Sequence, residues 1–335
     1  MSDSTSFLER PTADVPAVAR PNPARAFFGR YYLQLVLVAA VVLLAIAVPA
    51  FRSPLNVQNV LLQSSFAGLV ACGMTLLIAA GLFDLSVAGV IALCGVAVAT
   101  VLPSTTIGMA IGATLLLGAS LGALNGVVVT KIRIPAFIAT LGMLNLYLAA
   151  AFIWTSGEVI PIASYNFLSI VTATVFGIPV MFLIFVLVCV LSHLLLHKSY
   201  FGRRLRGIGS SEPAATMAGY RVDRVKIVAF TLTGLFSAIA AIGLSGLLSS
   251  ANATMATGYE LNAIAIAVVG GTALRGGEGT LLGTFTGALI FAVLGNALNL
   301  LRVDPYWQYL AVGLVLVAAI AAGALRKTGH VRGVS

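Results

Sequence analysis

Val60–Leu102 reads VLLQSSFAGLVACGMTLLIAAGLFDLSVAGVIALCGVAVATVL, and Asp84 is its one formally charged residue. Two apolar runs, near 60–82 and 85–102, flank the break Gly81-Leu82-Phe83-Asp84. A helix rises 1.5 Å per residue, so roughly 20 apolar residues cross a hydrocarbon core of ~30 Å. Backbone N–H and C=O groups have no outside partner there, which favours a helix that satisfies its own. The stretch therefore reads as two consecutive membrane-spanning helices joined by a tight turn.

Working outward, the same pattern recurs. The chain has 335 residues, 60% hydrophobic and 9% charged, against about 25% charged in soluble domains. Its mean hydropathy is +1.06. Too few polar side chains exist to cover a soluble surface. This excludes a soluble enzyme, a disordered chain and a nucleic-acid binder, whatever the net charge of +9 suggests. The 34 glycines suit closely packed helices in lipid. Spans are expected near 31–50, 60–82, 85–102, 106–130, 134–155, 176–197, 225–250, 260–273, 279–301 and 305–325. The eighth is short and runs into the Gly-rich stretch Gly270–Gly279, as a broken or re-entrant helix would. The expected fold class is an all-α membrane protein of about ten transmembrane helices.

Residues 1–30 are polar and proline-punctuated and read as a flexible cytoplasmic tail. Residues 31–325 form the transmembrane domain, and 326–335 a second cytoplasmic tail. The first apolar run is too long for a signal-peptide core. With the N-terminus inside and spans alternating, 17 Lys and Arg fall on the cytoplasmic side, and only Arg52 and Arg302 fall outside. That asymmetry supports a chain with both termini inside.

Two further patterns bear on architecture. Ala123-Leu124-Asn125 ends the fourth span as Ala297-Leu298-Asn299 ends the ninth. Each of these spans carries a glycine ladder, Gly118/Gly122/Gly126 and Gly279/Gly283/Gly287. Together they suggest an inverted 5+5 repeat, in which an odd number of crossings turns the second half upside down. Cys72, Cys94 and Cys189 sit in apolar runs without a CxxC spacing and read as small buried hydrophobes. His193, His197 and His330 form no metal-ligand set.

The one long intracellular loop is Lys198–Lys226, KSYFGRRLRGIGSSEPAATMAGYRVDRVK. Gly207, Gly209, Ser210 and Ser211 are expected to break any preceding helix. Ser211-Glu212-Pro213-Ala214-Ala215 then reads as a helix start: a capping Ser, an acidic first turn and an early Pro. The helix should stop near Met217 or Ala218, before Gly219. One or two turns are not stable alone. Two readings stay open: a helix docked on a cytoplasmic partner, or a solvated basic loop whose charges only set topology. No GxxxxGK[ST] occurs around Lys131, Lys198, Lys226 or Lys327, so the chain has no phosphate-binding loop of its own.

Four motifs in order carry a resemblance. They are Gly73–Gly95, Leu121–Leu144, Glu212–Gly219 (EPAATMAG) and Thr257–Ile290 (TGYELNAIAIAVVGGTALRGGEGTLLGTFTGALI). The chain resembles the permease subunits of ribose/xylose/galactoside-type importers of the ATP-binding-cassette (ABC) class, and through them the branched-chain amino-acid permeases. The resemblance covers about residues 33–325. It departs at Phe83, where the family usually has a small residue beside the acid, and at Pro213.

The resemblance implies a passive conduit in the bacterial inner membrane, not an enzyme. No cofactor is expected on this chain. ATP and Mg would be held by a cytoplasmic ABC ATPase subunit. Further implied partners are a periplasmic sugar-binding protein and a second permease chain, with lipid around them and no nucleic acid. Glu212, Pro213, Ala214, Ala215 and Gly219 would form the coupling element. A pathway for a neutral polyol needs amides, hydroxyls and aromatic faces. Asp84, Ser86, Asn125, Asn145, Asn296 and Asn299 are the pathway or gate candidates, with Gln63, Ser64 and Thr75 beside them. Each has a plain structural alternative, a hydrogen bond to a neighbouring helix. Asp84 in particular reads either as a cap for the third helix or as a gate.

Three rival readings match parts of the sequence. A branched-chain amino-acid importer shares the class. An ion-coupled transporter would need acidic or His relays inside spans, and the span interiors hold almost none. An intramembrane serine protease matches Gly243-Leu244-Ser245-Gly246, but the only later His is His330, in the tail.

Overall fold

The computed structural model describes residues 23–304 and positions 307, 310, 313 and 314. The N-terminal residues 1–22, most of the expected tenth span at 305–325 and the tail 326–335 lie outside the described residues. The elements are α1 (Pro23–Ala47), α2 (Pro54–Ala79), α3 (Val87–Val101), α4 (Ile107–Val127), α5 (Ala136–Thr155), β1 (Ile160–Pro161), α6 (Tyr165–Val171), β2 (Thr174–Val175), β3 (Ile178–Pro179), α7 (Val180–Lys198), α8 (Tyr200–Ser210), α9 (Glu212–Met217), α10 (Val222–Leu248), β4 (Ser250–Ala251), α11 (Tyr259–Val269) and α12 (Leu281–Leu300). A π-turn, Val128–Ile132, extends α4.

Among the described residues, seven helices are long and apolar enough to cross a membrane: α2, α3 with its extension to Ser104, α4, α5, α7, α10 and α12. Helix starts follow ordinary chemistry. The side chains of Ser53, Thr106 and Thr280 accept from Asn56 N, Met109 N and Gly283 N, at 3.3, 3.3 and 3.2 Å, and so satisfy N–H groups that a helix leaves open.

The molecule is layered. α2 lies at the centre, packed by α10, α12, α11 and α7, and α10 also lies along α4 and α3. Leu69 through Ala79 are all buried. The outer helices α4, α5 and α7 bury about a quarter to a third of their spans. The first glycine ladder does what its spacing predicts, whereas the second loses Gly279, which lies before α12 and packs on Ala79 and Leu196. At Gly118 a Cβ would stand 2.5 Å from Ala238 Cβ, and at Gly126 it would stand 2.7 Å from Ile227 Cα. At Gly122 it would overlap the Phe230 carbonyl, so α4 and α10 meet backbone to backbone. Gly283 and Gly287 seat α12 on Gly270 and Ile266, the end and the last turn of α11.

Two expectations need correction, and a third is sharpened. The glycines of the long loop do not break the chain: α8 runs straight through Gly207 and Gly209. At Gly209 any side chain would strike the Ala79 carbonyl at the end of α2, so glycine there serves close approach. The sixth span, expected from 176, begins at Val180. Residues 176–179 belong instead to the β2–β3 hairpin, which follows α6 and turns through Phe176 and Gly177 at positive φ. The eighth span, read from its length and Gly-rich end as broken or re-entrant, is a half-helix. α11 has 11 residues, a rise of roughly 16 Å against a core of ~30 Å. The chain leading into it is buried at Ala251, Ala253 and Ala256, and Met255 packs on Gly95 of α3. Irregular backbone is tolerated at such depth because protein surrounds it.

One end of the bundle carries α8, α9, Lys131 and Asp223. The opposite end carries the β2–β3 hairpin and the short antiparallel pairing of β1 with β4. Gln58 Nε2 donates to Gly177 O at 3.2 Å, tying the hairpin to α2.

Candidate functional site

The turn between α2 and α3 gathers three of the sequence candidates. Asp84 is buried. Its Oδ1 accepts from Ser86 N at 2.8 Å and Ser86 Oγ at 2.6 Å. Asn125 Nδ2, from α4, donates to Ser86 Oγ at 2.6 Å and Asp84 Oδ2 at 3.3 Å. Tyr147 of α5 donates to Asn125 Oδ1 at 2.9 Å, and Leu85 N donates to Thr140 Oγ1 at 3.1 Å. A buried carboxylate survives only when such donors surround it. Asp84 lies in the turn, outside both helices. Burial pushes its carboxyl above its ordinary value, and the bonds from Ser86 and Asn125 pull back against that shift. The residue at the start of α3 is Ser86, whose side chain makes no capping bond. Asp84 instead closes the turn leading into α3. Phe83 is half-buried and packs on the core.

The other candidates separate. Asn145 is exposed on α5 and donates to Leu141 O of its own helix at 3.0 Å. Asn296 forms a reciprocal amide pair with Asn56 across α12 and α2, at 2.7 and 3.0 Å. Thr75 and Thr284 share a 2.7 Å bond between the same two helices. Ser64 bonds back to Leu61 O. These four residues join helices or close on their own. Asn299 lines a cavity of about 410 Å³ between α2, α10, α11 and α12. Gln63 and Asn262 add two more amides, and Phe66, Tyr259 and Phe291 add aromatic faces. The remaining lining is Ala, Leu, Ile and Gly, and no charged residue lines it among the described residues.

At the basic end, α9 begins and ends as its residues require. Ser211 Oγ accepts from Ala214 N at 3.4 Å, Pro213 sits in the first turn, and Gly219 follows at φ +78°. Ala215 is buried while Ala214 is exposed. Glu212 pairs with Lys226 at 2.7 Å, the lysine mostly buried and the glutamate half-exposed, which ties α9 to the first turns of α10. Lys131 pairs with Asp223 at 2.6 Å and ties the end of α4 to the same helix.

Comparison with known proteins now decides the class. The family model described as branched-chain amino acid transport system / permease component matches residues 56–320. The chain belongs to this permease family. Among its relatives, the ribose import permease RbsC of Haemophilus influenzae is 38% identical, over 88% of this chain and 94% of the relative. The L-arabinose transport system permease AraH of Escherichia coli is 40% identical, over 88% and 91%. RbsC of Bacillus subtilis is 40% identical, over 84% and 88%. No solved structure matches the chain.

In the permease, several residues that matter lie outside the sequence candidates. Tyr147 and Thr140 brace the Asp84 turn from α5. Tyr259, Asn262 and Phe291 line the cavity. Lys226 anchors α9, and Asp223 ties the end of α4 to α10. One signal in the sequence pointed to the last two: charges at the edge of an apolar span rarely stand unpaired. Nothing in the sequence distinguished Tyr147 from the other tyrosines.

Proposed function

We propose that this chain is the membrane-spanning permease subunit of an ATP-binding-cassette importer that carries a pentose- or hexose-sized sugar across the bacterial inner membrane. The uncharged cavity is the observation that carries the substrate class. Three amides facing three aromatic rings suit the hydroxyls and C–H faces of a neutral sugar. A branched-chain amino acid, the alternative within the family, would bring an ammonium and a carboxylate into a site without a counter-charge, and burying unpaired charge is costly. Relatives named for ribose import and L-arabinose transport support the same reading.

On this reading the basic end faces the cytoplasm, both termini are inside, and ten spans form two inverted halves. The packing supports the repeat. α4 lies on α10 as α12 lies on α2, and α3 contacts α4 and α10 as α11 contacts α12 and α2. ATP and Mg belong to a cytoplasmic ATPase subunit. A periplasmic sugar-binding protein delivers sugar at the hairpin end, and a second permease chain completes the assembly.

The chain's own part is transmission. α9, built from Glu212, Pro213, Ala214, Ala215 and closed by Gly219, receives the movement of the ATPase. The Glu212–Lys226 pair passes it to α10, a helix of 27 residues. The far end of α10 supplies Leu244 and Leu247 to the cavity wall. A shift at α9 therefore reshapes the cavity through one rigid rod. Asp84, Ser86 and Asn125 hold the α2–α3 turn rather than line the path.

The test is uptake of labelled ribose and L-arabinose into proteoliposomes containing the permease, its ATPase and its binding protein. ATP-dependent sugar uptake, lowered at least tenfold by Asn262→Leu with Gln63→Leu, is expected. ATP hydrolysis by the chain alone, or uptake driven by an ion gradient, would overturn the proposal.

A further inference from the structure

Beside α9 lies a second feature, a groove of about 820 Å³ between the π-turn after α4 and the start of α10. Its wall includes Lys131, Arg133, Glu212, Arg221, Asp223, Arg224 and Lys226. Both acids are already engaged, Asp223 with Lys131 and Glu212 with Lys226. Arg133, Arg221 and Arg224 are exposed and form no ion pair among the described residues. The groove therefore presents three uncompensated guanidinium groups on a frame that two ion pairs hold in place. Arg133 also stands at φ +62°, where a non-glycine residue is strained, directly after a π-turn. Arg133 is thereby the left-handed cap that ends the π-turn at the groove wall.

We propose that this groove is a second docking site for the ATPase subunit, receiving an acidic segment of that partner alongside the seat of α9. The inference rests on the transporter reading above. Guanidinium groups are suited to carboxylates because they bond them in pairs. α9 would transmit movement, and the groove would set orientation and association rate, as complementary charge does at other interfaces. Glu212 belongs to both features: it caps the frame of the groove and anchors α9.

Binding of the purified ATPase subunit to the full-length permease tests this, in nanodiscs of phosphatidylcholine alone and in discs that also contain phosphatidylglycerol. Arg133→Glu with Arg224→Glu should weaken binding at least tenfold in both disc types and flatten its salt dependence. The neutral pair Arg133→Gln with Arg224→Gln should lose less, and Arg275→Glu, an exposed basic residue outside the groove, should stay within twofold of the unaltered chain. Unaltered melting profiles of the variants show that folding is intact. Binding by the double reversal within twofold of the unaltered chain overturns the inference alone. So does a loss confined to phosphatidylglycerol discs, which assigns the arginines to lipid headgroups, or an equal loss from Arg275→Glu. If the unaltered chain fails to bind its ATPase, the transporter reading falls and takes this inference with it.

Discussion

Asn125 donates to Asp84 and Ser86 and accepts from Tyr147, so one amide serves three partners in a dry turn. Asn125→Leu strands those groups, and each buried polar atom left unpaired costs about 1–3 kcal/mol. The expected result is a lower unfolding midpoint in mild detergent. A variant as stable as the unaltered chain that has lost transport would instead make the cluster a gate. The carboxyl of Asp84 is raised by burial, so the native state holds its proton more tightly than the unfolded chain does. That contribution is complete below the ordinary carboxylate value of ~3.9 and is lost as pH rises through the raised one. Asp84→Asn keeps an oxygen for Ser86 and carries no charge, so it should flatten this part of the pH–stability curve. A curve of unchanged shape would remove Asp84 as its source.

At the scale of elements, α4 offers a controlled comparison. Gly112 has open space around it, whereas at Gly122 a side chain meets the Phe230 carbonyl of α10. Gly112→Ala should be neutral or stabilise by up to ~1 kcal/mol through helix propensity. Gly122→Val must push two packed backbones apart, and the yield of folded, monodisperse protein should fall sharply. Equal behaviour of the two variants would contradict the close α4–α10 contact. α9 is a six-residue helix held by one cap and one ion pair. Ser211→Ala should cost about 1 kcal/mol locally. Glu212→Gln leaves the mostly buried Lys226 with a neutral acceptor but no counter-charge. Its cost should lie between the ~0–1 kcal/mol of an exposed pair and the ~3–5 kcal/mol of a broken buried one. Coupling should suffer more than stability, seen as ATPase activity that no longer responds to sugar-loaded binding protein.

For the whole molecule, the prediction concerns sidedness. Phe176 is fully exposed at the tip of the β2–β3 hairpin, and Thr216 is exposed on α9. With Cys72, Cys94 and Cys189 buried, Phe176→Cys should react with an impermeant thiol reagent added outside intact cells, and Thr216→Cys only after the membrane is opened. Labelling of both from the same side would reverse the transmission scheme, because the ATPase seat and the delivery end would then share a face. The layering around α2 also explains why the cavity escaped notice in the sequence. Its walls come from four helices, so Gln63 and Asn299 stand out singly in the sequence, while nothing there brings them together with Asn262 and the three aromatic rings.

Membrane residence, the placement of the apolar runs, the backbone contacts of the first glycine ladder and the limits of α9 were all legible from residue order, because each follows from local rules: span length, small-residue spacing, capping. The continuity of α8 through its glycines, the brace from Tyr147 and the charge left over in the groove were decided by packing. A glycine reads as a breaker until a neighbouring backbone is seen to need its missing side chain. A charge reads as free until its partner arrives from a helix almost a hundred residues away in the chain, as Asp223 does for Lys131.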